Sequence, residues 1–375
     1  MMEGFQSGLS SQANTEGVIS DLVKQFQGCE PKAIVFFASH HHDGSAISGG
    51  LHKKFPAAEV IGCTTAGEFT ELHGGVRSVS ALAMPSSKVR RCAGAIARFE
   101  PGIEGSVKAA LGRISGKLEV DLRNADPKKY VGVVLIEGLR MKEELANEAL
   151  GNEAPLLSFV GGSAGDNLEF KETRVFFNGE ASNDGCALLL LEAAVPFVVA
   201  KTCSFRSTGK KFKVTKADVP NRVVHELDGR PVLEVYAEAA GVSKDKLDGA
   251  VFMKKPMGLM IDNAPWIRSP QQVLPTGGLK FYCKILEGME IHLMEATQLV
   301  DDTRKALAKA AKDLNAPVSG GLVFNCILRR LELDSDKLHQ PFLESFAGKK
   351  IAGFHTYGES YLGHINQTLT SLLFS

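Results

Sequence analysis

Residues 351–375 read IAGFHTYGESYLGHINQTLTSLLFS, and their centre, Thr356-Tyr357-Gly358-Glu359, carries a four-residue pattern: a hydroxyl residue, any residue, glycine, an acid. An apolar run precedes it (KIAGF) and another comes after it (TLTSLLF), so the pattern reads as a turn between buried strands. The pattern recurs at Thr65-Ala66-Gly67-Glu68, between AAEVIGC and VSALAM, and at Ser163-Ala164-Gly165-Asp166, between LLSFVGG and CALLLL. At average composition it is expected about once by chance in a chain of this length. Three copies in one setting indicate a repeated unit.

The repeat extends upstream. About 30 residues before each turn lies another apolar run, AIVFFAS at 33–39, YVGVVLIEG at 130–138 and GGLVFNC at 320–326, with room for one helix between run and turn. The fold expected is therefore α+β or α/β, with mixed sheets built from three related strand–helix–strand–turn–strand units. The first two form a tandem pair over residues 30–191. A strand-rich segment over 197–295, with a helix opening at Pro231 where no intrahelical donor is needed, is inserted before the third. Helices are expected at 18–26, 46–55, 105–118, 143–150 and 301–314, a tight hairpin turn at Asn178-Gly179, and an arm or strand edge over 1–15.

Chain-level properties narrow the function. Forty-three Lys plus Arg balance 43 Asp plus Glu, which gives no general attraction to nucleic acid or anionic lipid. No apolar run reaches the length of a membrane span, and the opening MMEGFQSGLSSQ has neither a basic nor an apolar leader segment, so a cytoplasmic protein is expected. The seven cysteines are odd in number, scattered and mostly inside apolar segments. They suit reduced core thiols, and no metal-type cysteine spacing occurs.

The third unit, with GLVFNCILRR, Glu344, GFHTYGE and HINQT, resembles the FIST family of ligand-sensing domains. VIGCTTAGEF and VGGSAGD carry the likeness into the first half. The resemblance implies a two-part architecture, an N-terminal part over 30–200 and a C-terminal part over 215–360 whose last strand runs towards 375. It implies sensing of a small ligand, with amino acids proposed for the family and some members binding haem and responding to nitric oxide. As no output module accompanies the sensor, the expected partner is a separate signalling protein such as a histidine kinase or a cyclic-dinucleotide enzyme.

Open α/β sheets place ligands beyond the carboxyl ends of their strands, which here carry residues 39–43, 137–140 and 325–330. Asn325 and Arg329 are the preferred contacts, since an amide offers donor and acceptor and a guanidinium grips a carboxylate bidentately; the alternative is that Arg329 is a solvated loop arginine paired with Glu332. Thr356, Glu359 and Asn366 are expected to join them in one C-terminal pocket, with Gly358 of the same turn a further candidate contact. Thr65 with Glu68, and Ser163 with Asp166, are the corresponding candidates in the other repeats. For all three turns the alternative is that glycine supplies turn geometry and the acid accepts nearby backbone hydrogen bonds.

No resident cofactor is expected; in the alternative of haem b, His225 is the candidate axial ligand. Adjacent His40, His41 and His42 cannot all point one way from an extended chain and read as a strand-end loop. A cysteine enzyme built on Cys63 or Cys326 with His355 is the least favoured reading, because a cysteine nucleophile needs a nearby base. P-loop and HExxH motifs are both missing from the sequence.

Overall fold

A strand buried on both faces reads as a continuous apolar run rather than an alternation, and the three opening runs form such strands. The computed structural model describes residues 4–375. In it Pro31–Ser39, Tyr130–Ile136 and Gly320–Cys326 each lie parallel to the strand that precedes the glycine turn: Glu59–Thr65, Phe159–Ser163 and Lys350–Thr356 respectively. Each opening strand is flanked on its other side by the antiparallel strand that closes its repeat, Val79–Pro85, Gly185–Ala193 or Thr368–Phe374. The three segments thus occupy equivalent environments, as the repeat requires, in an α+β fold of mixed sheets.

The repeats are bound together by a cyclic exchange. The short strand after the first turn, Glu68–Thr70, pairs with the third repeat's Lys350–Thr356. The strand after the third turn, Glu359–Tyr361, pairs with the second repeat's Phe159–Ser163. The second repeat completes the circle, because Val175–Phe177 pairs with the first repeat's Glu59–Thr65. Three sheets of six strands result, none complete without a strand from another repeat.

Alternate residues of the opening strands meet in one core: Val35 and Phe37, Val133 and Leu135, Leu322 and Phe324. The Phe37 ring lies 5.9 Å from Phe324 and 4.6 Å from Phe354. On the opposite faces Ile34, Phe36 and Ala38 pack with Val18, Leu22, Ile47 and Leu51, and Val134 and Ile136 pack with Val107, Leu111 and Leu150. Those helices, Thr15–Gln25, Gly44–Lys54, Ile103–Leu118 and Glu143–Glu153, match the sequence expectation within a few residues, and Gln6–Ser10 is an edge strand on Val79–Pro85. Asn178 and Gly179 take the positive φ expected of the hairpin, 47° and 93°.

The third crossover differs from expectation. It holds two helices, Ile327–Ser335 and His339–Glu344, and Arg329 sits in the first turn of the former, 1% exposed, not in a solvated loop.

By spatial contacts the chain forms two compact units, one of residues 1–201, 304–364 and 369–375, the other of 202–303 and 365–368. This cut differs from the two-part sequence division: apart from residues 365–368 of the third, all three repeats fall in the first unit. The second unit is the strand-rich insertion, including the long strand Phe205–Asp218, which pairs with Val223–Leu227 and Glu290–Ala296. Its core gathers Val214, Val224, Leu227, Tyr236, Phe252, Phe281 and Ile291, and its helix Val232–Ala240 opens after Pro231 and ends on left-handed Gly241.

Candidate functional site

The three glycine turns converge. Ala66 N donates to His355 O and His355 N to Gly67 O (3.1 and 2.8 Å); Gly165 N donates to Thr64 O (2.9 Å); Ser163 N donates to Gly358 O (2.8 Å). Close approach explains one glycine directly: a Cβ on Gly165 would lie 2.9 Å from Ala66 N. Gly67 needs its φ of +110°, which L side chains rarely adopt.

Each turn's acid is buried, but in different company. Glu68 accepts from the Thr65 hydroxyl and from Ser78 Oγ and N (2.7 and 3.2 Å). Burial pushes its carboxyl up to about 7, against the pull of those hydrogen bonds and of the Arg330 charge. Asp166 accepts from three backbone N–H groups, Phe170, Lys171 and Glu172 (3.0, 2.6 and 3.1 Å), and from the Tyr357 hydroxyl at 2.5 Å. Burial works against its charge, yet Tyr357 and the N–H groups outweigh it and hold the carboxyl below the usual range. Thr356 spends its hydroxyl on structure, bonding Ser163 O and Gly358 O, both at 2.8 Å.

The five-residue pocket expected around the third turn does not form as one group. In the parallel pair, Asn325 is in register with His355 and Cys326 with Thr356, so alternation puts Thr356 on the opposite face from Asn325. Asn366 belongs to the second compact unit, where its Oδ1 accepts from Cys283 Sγ at 2.6 Å. Asn325 and Arg329 do meet: Arg329 Nε donates to Asn325 Oδ1 (2.8 Å), and the amide nitrogen of Asn325 lies 2.9 Å from His355 Nδ1. The guanidinium fixes the amide, the amide donates to Nδ1, and the His355 proton is thereby placed on Nε2. Burial, and after it the charges of Arg330, His339 and Arg329, pushes His355 well below its ordinary value, so the imidazole is neutral.

His355, considered in the sequence only as a base for cysteine, is therefore the residue that Asn325 and Arg329 support. It lines a cleft of about 460 Å³ together with Glu68, Phe69, Arg330, Asp334 and His339. Its ring lies 5.1 Å from Phe69 and 6.4 Å from His339. Arg330 Nη1 donates to Ala66 O and Asn167 Oδ1 (2.5 and 2.8 Å) and its Nε faces Asp334 Oδ2 at 3.5 Å, which locks the guanidinium in the wall. The run Arg329-Arg330 was the available sequence signal: at the start of a helix one faces the core and the next does not.

The remaining candidates sit apart. Cys63 is fully buried, and burial, with Glu68 nearby, pushes its thiol well above the ordinary value, which leaves it protonated and a poor nucleophile. His225 is a half-buried residue of Val223–Leu227 in the second unit, where its ring lies beside Gly278, on which a Cβ would come within 3.2 Å of Nδ1.

Polar groups gathered at the carboxyl ends of parallel strands beside a small cleft are the arrangement in which open sheets of this kind hold ligands. The chain belongs to the FIST family: the FIST N domain matches residues 32–230 and the FIST C domain residues 233–361. These domains are associated with sensing small ligands in signal transduction, a sensory rather than enzymatic role. An uncharacterized protein of Methanocaldococcus jannaschii is 24% identical over 370 residues, 88% of this chain and 70% of its own length. Two strains of Mycobacterium tuberculosis each have an uncharacterized protein 27% identical over 227 residues, 56% of this chain and 58% of theirs. Among the described residues no helix is long and apolar enough to cross a membrane.

Proposed function

We propose that this protein senses an amino acid or similar small metabolite in the cleft between Glu68, Arg330 and His355, and passes the signal to a separate protein of the histidine-kinase or cyclic-dinucleotide-enzyme class. The observation that carries the reading is the mixed polarity of one small, partly enclosed site. Arg330 and the Nε2–H of His355 suit a carboxylate, Asp334 suits an amine, and Phe69, Phe342 and Leu343 supply apolar wall. A volume of about 460 Å³ is in the range of sites that enclose small ligands. Asn325 and Arg329 act in this reading by holding His355, rather than by touching the ligand. The partner class rests on the family's association with signalling.

A ligand that binds only the folded state raises the melting temperature. Screening amino acids and small carboxylates by thermal shift should give at least one ligand that stabilises wild type, with Arg330→Gln weakening it by about tenfold or more and Asn325→Ala weakening it less. A ligand that stabilises wild type and Arg330→Gln equally would put the site elsewhere. Failure to recover a signalling enzyme by co-purification, with and without ligand, would remove the partner.

A further inference from the structure

The strand-end loop after the first repeat's opening strand meets an acid from the second repeat. His40 Nε2 lies 3.0 Å from Glu169 Oε1, across 129 positions of sequence, and donor atoms of His40, His41 and Glu169 all fall within 4.8 Å of one another. The two imidazole rings are 4.0 Å apart between centroids. We propose that His40, His41 and Glu169 bind one divalent transition-metal ion of the zinc class.

The hydrogen bonds set the ligand atoms. Ser39 Oγ donates to Val76 O (3.2 Å), so towards His41 Nδ1 at 3.1 Å it is an acceptor. His41 therefore carries its proton on Nδ1 and its lone pair on Nε2, with Ser39 orienting the ring as outer partners of metal-bound histidines do. Nδ1 of His40 is buried with no hydrogen-bond partner, so no backbone carbonyl holds that ring in a tautomer. Loading a metal on Nε2 displaces the hydrogen bond to Glu169 Oε1, which then becomes a ligand atom, while Glu169 Oε2 accepts from Lys171 Nζ at 3.0 Å.

A tetrahedral zinc with bonds of about 2.0–2.1 Å needs donors roughly 3.3 Å apart. His41 and Glu169 are exposed and His40 half-buried, so side-chain rotation suffices to close the group. Two imidazoles and one carboxylate select zinc, cobalt, nickel or copper over calcium and magnesium. Three protein ligands leave a coordination position open, where water or an external donor binds. The ion would also tie the first repeat to a segment whose Asn167, Leu168 and Phe170 hold positive φ of 55°, 68° and 52°.

The test uses the full chain without a histidine tag, titrated with Zn²⁺ by calorimetry and with Co²⁺ by visible absorption. Wild type should bind one ion per chain and give Co²⁺ d–d bands of low coordination number. The double variant His40→Ala/His41→Ala should lose binding by about a hundredfold or more, Glu169→Gln should weaken it by roughly tenfold and change the Co²⁺ spectrum, and His42→Ala should bind as wild type does. Circular dichroism checks that each variant is folded. Wild type binding no better than the double variant overturns the site, as does Glu169→Gln with unchanged affinity and spectrum.

Discussion

Glu68 and Asp166 occupy the same position of the same turn in two repeats, and each is 1% exposed, yet their carboxyls are driven in opposite directions, Glu68 up to about 7 and Asp166 below its ordinary value. The difference lies in the path of the chain just past each turn. After Gly67 the chain enters a strand at once, Glu68–Thr70, so its amides are committed to pairing and the acid finds mostly hydroxyls. After Gly165 it loops, and the amides of Phe170, Lys171 and Glu172 turn inward onto Asp166. A carboxylate satisfied by several N–H donors keeps its charge; one enclosed without them gains by keeping a proton. The first turn thus borders a cleft with an acid that titrates near neutrality, and the second is a structural clasp.

The largest expected effect falls on the clasp. Asp166→Ala strands three N–H groups and the Tyr357 hydroxyl, and should cost about 3–4 kcal/mol by urea denaturation at pH 7; a loss under 1 kcal/mol would erase the distinction between the turns. Gly165→Ala drives a Cβ to 2.9 Å from the Ala66 amide nitrogen and should cost about 2–3 kcal/mol.

Glu68 carries the opposite sign. Its folded value stands above the unfolded one, so the stability linked to it is complete below about pH 4.5 and is lost as pH rises through about 7. Glu68→Gln should therefore flatten the fall in stability between pH 5 and pH 8, with a gain over wild type at pH 8 relative to pH 5 of about 2 kcal/mol. For Asp166 the linked stability is complete above the unfolded value and is lost as pH falls through the lower folded one, so parallel pH profiles for Glu68→Gln and Asp166→Asn would contradict the contrast. The smallest change, Tyr357→Phe, removes one of the four bonds to Asp166 and the acceptor of the Leu168 amide (2.6 Å), and should cost about 1–2 kcal/mol, with the acid-side loss of stability beginning at higher pH.

Much of this architecture was legible before folding. The apolar runs and glycine turns marked three units, and the helices fell where the spacing put them. Among candidate residues, the link between Asn325 and Arg329 was foreseen as shared geometry but not as support for His355. Thr356 was misplaced because a hydroxyl at a strand end looks available for a ligand; here it bonds the Ser163 and Gly358 carbonyls. Asn366 is near the others in sequence, but within the third repeat the chain crosses briefly into the second compact unit, for residues 365–368.

What the sequence determined by itself is local: period-two burial, turns that require glycine, and helix lengths that suit a parallel crossover. Tertiary structure alone decided the cyclic exchange of short strands, the company of each acid, and the meeting of His40 with Glu169. Those depend on which edge and which amides arrive from more than a hundred residues away, and a pattern of neighbours along the chain holds no record of that. Hydrogen bonding and desolvation act only over the few ångströms that folding closes.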